Sequence, residues 1–203
     1  MSYLGVGMSP GNVPVYHGSG SLVDRRVRLA ELLLRCAVIA LAVASAALIG
    51  SDTQVKEIFS VQKRAKFTDM KALILLVVSN GVAGAYSAVQ VVRCVMSMVK
   101  GTVLFSKPLA WAIFSADQAV AYLTVAAVAA AAQSAVFAKV GEADMQWMKI
   151  CGMYAKFCNQ VGEGIAGAVL LSLAAVTLSG VSAFSLFRLY GDCKKKIWGN
   201  NGK

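Results

Sequence analysis

Residues 29–49 read LAELLLRCAVIALAVASAALI, a run with no proline and no glycine and one arginine, Arg35, a third of the way along. A helix of about 20 such residues crosses the hydrocarbon core of a bilayer. Three more runs share this character, at 72–92, 109–137 and 165–189, and the third contains an aspartate, Asp117. Ala, Leu and Val dominate all four, which does not suit the alternating strands of about 10 residues that build a membrane barrel. Composition agrees: 58% of the chain is apolar and only 15% charged, well short of the roughly 25% charge of a soluble domain. The pattern predicts an all-α membrane protein, a four-transmembrane-helix bundle.

Working outward, residues 1–24 are rich in Gly, Ser and Pro and read as a disordered tail. Residues 25–190 form the membrane domain, with outer segments at 50–71 and 138–164, neither large enough for an independent domain. Residues 191–203 are a basic tail. The first run is too long for a signal peptide and carries no convincing cleavage site, so it reads as a signal anchor. Four spans place both termini on one side. That side holds eleven Lys and Arg, among them Arg25, Arg26, Arg28, Arg188 and Lys194–Lys196, against eight opposite. The excess predicts cytoplasmic termini and accounts for most of the +10 net charge, which favours anionic lipid headgroups. The basic residues are divided among tails and loops, so nucleic acid is not an expected partner. Membrane lipids are.

An unpaired charge in hydrocarbon costs at least about 2.5–3.5 kcal/mol, so Arg35 and Asp117 each need a partner or a wet cavity. The first and third helices run in the same direction and place the two at depths of about 9 and 12 Å, within reach of each other. The expected arrangement is an intramembrane ion pair, with Glu31, one turn before Arg35, able to share the guanidinium. Two other readings stay open: Arg35 snorkels to the interface, or the charges serve transport, with Gln118, Thr124 and Gln133 nearby. Small residues supply close helix packing: Gly81, Gly84 and Ser87 in the second run, Gly164, Ala168, Ser172 and Ala175 in the fourth.

Outside the spans, Trp147, Ile150, Cys151, Tyr154, Phe157 and Cys158 recur at three- and four-residue steps, the stripe of an amphipathic helix that dips into the headgroups or caps the bundle. Cysteines on the oxidising side invite a disulfide. In one unbroken helix, positions seven apart lie about 10.5 Å apart, beyond the roughly 7 Å limit for a bridge. A break near Gly152 with a Cys151–Cys158 bridge is the expected outcome. Cys193, beside Lys194–Lys196, is a palmitoylation candidate or a plain thiol. No catalytic, cofactor-binding or metal-ligating residue is assigned, because no such constellation or spacing occurs, and no cofactor is expected. His17, the single histidine, cannot form a metal site alone.

In combination, Arg35, the string Phe114-x-x-Asp117-Gln118-x-x-Ala121-Tyr122-Leu123, and the Trp147…Cys151…Tyr154…Cys158 segment resemble the Casparian strip membrane domain protein-like (CASP-like) family. Phe67-Thr68-Asp69-Met70-Lys71-Ala72 and Phe105-Ser106-Lys107-Pro108 resemble its second group. The resemblance covers roughly residues 25–190. It implies a MARVEL-like topology, a plasma-membrane location, cytoplasmic termini, self-association, and hetero-oligomers with related members. It also implies a scaffold that organises a membrane domain and recruits cell-wall-modifying proteins, rather than an enzyme. Two alternatives remain: a small channel or transporter using Arg35 and Asp117, or a lipid-organising protein.

Overall fold

A membrane chain must satisfy its backbone hydrogen bonds internally and keep its polar side chains off the lipid. The computed structural model describes residues 21–51, 53–58, 61–100, 107–141, 149, 151–152 and 154–200. Four helices carry it: α1 (Ser21–Gly50), α2 (Lys71–Lys100), α3 (Lys107–Val140) and α4 (Ala155–Asn200). Each contains a stretch long and apolar enough to cross a membrane: Arg26–Gly50, Lys71–Met96, Pro108–Val140 and Ala155–Phe187. Pro108 lies in the first turn of α3, where its missing N–H costs nothing to the helix. At the far end of α3, Gly141 adopts φ 72° and donates its N–H to Phe137 O at 2.9 Å. That left-handed cap suits glycine, which has no Cβ to clash.

The helices run past the hydropathy reading at several ends, and α2 continues to Lys100, eight residues beyond the predicted span at 92. Helix α1 begins at Ser21, within the segment 1–24 read as a disordered tail, and α4 extends through most of 191–203 to Asn200. A helix closes its own hydrogen bonds and need not stop where the lipid does. Helix α4 also starts ten residues before the predicted span, at Ala155. Lys156, Asn159, Gln160 and Glu163 interrupt the apolar run there, but Phe157, Val161 and Ile165 keep the helical spacing and are buried. The outer segment 50–71 contains an antiparallel hairpin, β1 (Thr53–Ile58) with β2 (Val61–Lys66), in register Thr53↔Lys66 to Ile58↔Val61. A short 3-10 turn, Phe67–Asp69, leads from it into α2.

The helices close a four-membered ring in which α1 and α3 each pack against both α2 and α4. Burial is inverted relative to a soluble bundle. Arg35, Ser45, Asn80, Asp117 and Thr124 are buried, while Leu33, Val43, Val89, Tyr122 and Phe187 are more than half exposed. Lipid is the solvent those apolar side chains fit.

Close approach between α1 and α4 depends on Gly164. A Cβ there would lie 2.5 Å from Ile49 Cγ1 and 3.0 Å from Cδ1. Nothing lies within 4 Å of a Cβ at Gly81. Gly164→Leu is therefore expected to cost about 1–3 kcal/mol through overpacking, and Gly81→Leu next to nothing. Thermal midpoints of the two detergent-solubilised variants check this. Equal midpoints would contradict the α1–α4 packing.

Candidate functional site

The site is a polar clamp across the ring, and Arg35 is its centre. Helix α1 buries this side chain completely, with its guanidinium turned toward α3. Nη1 donates to Asp117 Oδ1 at 3.2 Å and Nη2 to Asp117 Oδ2 at 3.1 Å. This two-pronged geometry is the strong form of an arginine–carboxylate contact and fixes the rotation of both helices. The remaining faces of the fork turn along α1: Nε and Nη2 donate to Glu31 Oε1 at 3.1 and 3.0 Å. Glu31 sits one turn away, its side chain 21% exposed, so the cluster runs from the buried diagonal toward the bundle surface.

The other two helices complete the clamp. From α4, the Ser182 hydroxyl donates to Asp117 Oδ2, and one turn earlier Ser179 donates to Gln118 Oε1. From α2, the ring of Tyr86 lies with its centroid 5.7 Å from Arg35 Cζ, within cation–π range. Its hydroxyl donates a long bond, 3.4 Å, to Ile113 O on α3. Every helix thus contributes a group to the charge or to its counter-charge.

Nearer the hairpin end, a second, neutral network ties three helices. Asn80 Nδ2 donates to Ser45 Oγ at 3.0 Å, and Ser45 Oγ donates to Gly164 O at 2.8 Å. Asn80 Oδ1 is buried with no hydrogen-bond partner among the described residues. Gln160 Nε2 reaches Leu48 O at 2.9 Å, satisfying one of the carbonyls that the end of α1 leaves open. Neutral bonds of this kind average about 0.6 kcal/mol in membrane proteins. Breaking a buried ion pair costs several times that, so the charged clamp outweighs the neutral network. Toward the hairpin end of the bundle, Ile49, Leu73, Leu76, Ala131, Tyr154 and Phe157 belong to one packed apolar cluster.

Tyr154 and Phe157 therefore cap the bundle from within; each is 6% exposed. Cys151 and Cys158 are joined as a disulfide, Cα to Cα 5.6 Å. The helix breaks to allow it: Cys151 and Gly152 form a turn and α4 begins only at Ala155. Cys151 N also donates to Ala138 O at 3.1 Å, docking the turn on the end of α3. Trp147 and Ile150, the other members of the predicted stripe, lie outside the described residues. Cys193 lies within the length of α4, beyond the described side chains. Among the described residues, no three His, Cys, Asp or Glu side chains come together in a way that could hold a metal ion.

Ser179, Ser182, Tyr86 and Asn80 are contributors that hydropathy reading does not single out. The available signal is weak: small polar residues within an apolar run, spaced so that Ser179 and Ser182 share a face of α4. Both sit on the face that α4 turns toward Gln118 and Asp117.

Residues 24–178 match the Casparian strip membrane protein domain. Over 197 residues, the chain is 72% identical to CASP-like protein 2B1 of Populus trichocarpa, covering 97% of this chain and 98% of that one. It is 71% identical to CASP-like protein 2B1 of Ricinus communis over the same shares. CASP-like protein 2B2 of Arabidopsis thaliana is 65% identical over 196 residues, covering 97% of this chain and 98% of that protein. No solved structure matches the chain.

Proposed function

Because the chain belongs to the Casparian strip membrane protein domain family, we propose that it is a plasma-membrane scaffold. It self-associates, alone or with related family members, and organises a membrane domain. Both termini lie in the cytoplasm, so the hairpin and the disulfide-braced turn face the cell wall, where they recruit wall-modifying proteins.

The observation that carries this reading is the engagement of the clamp. Arg35 uses its donors on two carboxylates, and Asp117 receives Arg35 and Ser182 together. Charges held this way lock four helices into one rigid body, which is what a platform needs. A transport site needs groups free to exchange partners with a solute. The packed cluster of Ile49, Leu73, Leu76 and Phe157 also stands between the clamp and the outer face. An exterior of exposed Leu, Val and Phe side chains is a surface on which copies meet through lipid-facing contacts.

The test is the oligomeric state of full-length protein extracted with its surrounding lipid in polymer nanodiscs. Particles holding several copies support the scaffold. A uniform population of single copies would remove self-association from the account.

A further inference from the structure

On the end of the bundle that carries both chain termini, α1 and α4 leave an apolar groove of about 470 Å³. Val27 and Ala30 form one wall; Val176, Gly180, Val181 and Phe184 form the other. Its volume falls within the range of small-molecule sites. Gly180 faces this open space: a Cβ there would meet nothing within 4 Å. Thr177, also in the lining, spends its hydroxyl on Leu173 O and Ala174 O of its own helix, so it presents no free donor.

The start of α1, at one end of the groove, is basic. Arg26 is exposed and immediately precedes Val27, with exposed Arg28 on the other side. On α4, Arg188 follows Phe184 by one turn, and Lys194, Lys195 and Lys196 come after it in the same helix. Asp24 and Asp192 are the acidic residues of these two stretches outside the clamp, outnumbered by Arg25, Arg26, Arg28, Arg188 and Lys194–Lys196; Glu31 is engaged by Arg35.

We propose that the groove holds an acyl chain of an anionic phospholipid, with the headgroup seated at the basic start of α1, beside Arg26 and Arg28. An apolar slot inside the membrane selects a hydrocarbon chain, and the arginines beside its mouth select negative charge on the headgroup. A second copy of this chain fits less well. Copies inserted in one membrane share their orientation, so packing groove to groove would set Arg26 and its neighbours against the same basic end of the partner. The α4 wall at Gly180, Val181 and Phe184 lies beyond the residues matched by the family domain, which end at 178.

Native mass spectrometry of the full-length chain tests this, using equal amounts of dioleoylphosphatidylserine and dioleoylphosphatidylcholine as probes. The expected result is one retained lipid, with phosphatidylserine favoured by about fivefold or more, the effect of a single basic residue at a charged headgroup. Arg26→Gln should lower that preference by about fivefold while one lipid is still retained. Gly180→Leu fills the groove from α4 and should abolish retention. Ala30→Leu fills it from α1 and gives the same reading if the first variant does not fold. Equal retention of the two lipids by the wild type overturns the proposal. So does wild-type retention in the filled variants, or a switch to fewer copies in Gly180→Leu with lipid retention unchanged, which would place a second copy in the groove. The lipid count does not depend on self-association, so either reading can fail alone.

Discussion

Arg35→Ala is expected to destabilise the bundle by about 3–5 kcal/mol, the cost of stripping one member from a buried ion pair. It leaves two carboxylates, Asp117 and Glu31, facing each other's charge with no cation between them. Asp117→Asn should cost less, because Arg35 keeps Glu31 and the new amide oxygen can still accept a bond. Glu31→Gln should cost least, since that side chain is partly exposed and Asp117 retains both of its contacts. The double change Arg35→Met with Asp117→Leu removes both charges and leaves apolar side chains in their place. It should recover most of the loss, as apolar replacements of buried pairs often do. Thermal unfolding in detergent of Arg35→Met, Asp117→Leu and their combination forms a mutant cycle, in which the double variant is expected to lose far less than the sum of the two singles. Additive losses would mean that the two side chains do not depend on each other. The same set separates scaffold from channel. Under the scaffold reading the single variants fail in folding and export; variants that reach the surface, assemble normally and lose only a flux would favour transport.

The second large effect is expected from the disulfide. Bridging positions seven apart should contribute about 2–3 kcal/mol by restricting the unfolded chain. It also holds the turn that sets Tyr154 and Phe157 into the apolar cluster at the hairpin end. Reducing agent should therefore lower the thermal midpoint of the wild type and leave Cys151→Ser/Cys158→Ser unchanged at its own lower value. A wild type indifferent to reductant, with the double variant equally stable, would show that the turn holds without the bridge.

Much of this architecture is legible in the sequence because lipid imposes a harsh rule. Any run of some 20 apolar residues is a candidate span, and a charge within one must find a partner. Arg35 and Asp117 stand out for that reason, and their depths along parallel helices bring them level. The spacing of Cys151 and Cys158 forces a choice between a continuous helix and a bridge, and the turn at Gly152 resolves it. What surrounds the clamp is less legible. Ser182 and Tyr86 matter only because of how α4 and α2 are rotated, and rotation is set by packing such as Gly164 against Ile49. The hairpin at 53–66 follows from strand pairing outside the lipid, where hydropathy carries no signal. The early start of α4 is hidden for a related reason. Its first turns keep a buried stripe through Phe157 and Val161 while their polar faces interrupt the apolar count.

Fluorescence recovery after photobleaching of a tagged copy in a plant plasma membrane distinguishes a self-associating, anchored platform from small diffusing units. Bounded patches in which recovery is slow or absent over minutes are expected. Fast and complete recovery would contradict the platform and leave freely diffusing small units in its place.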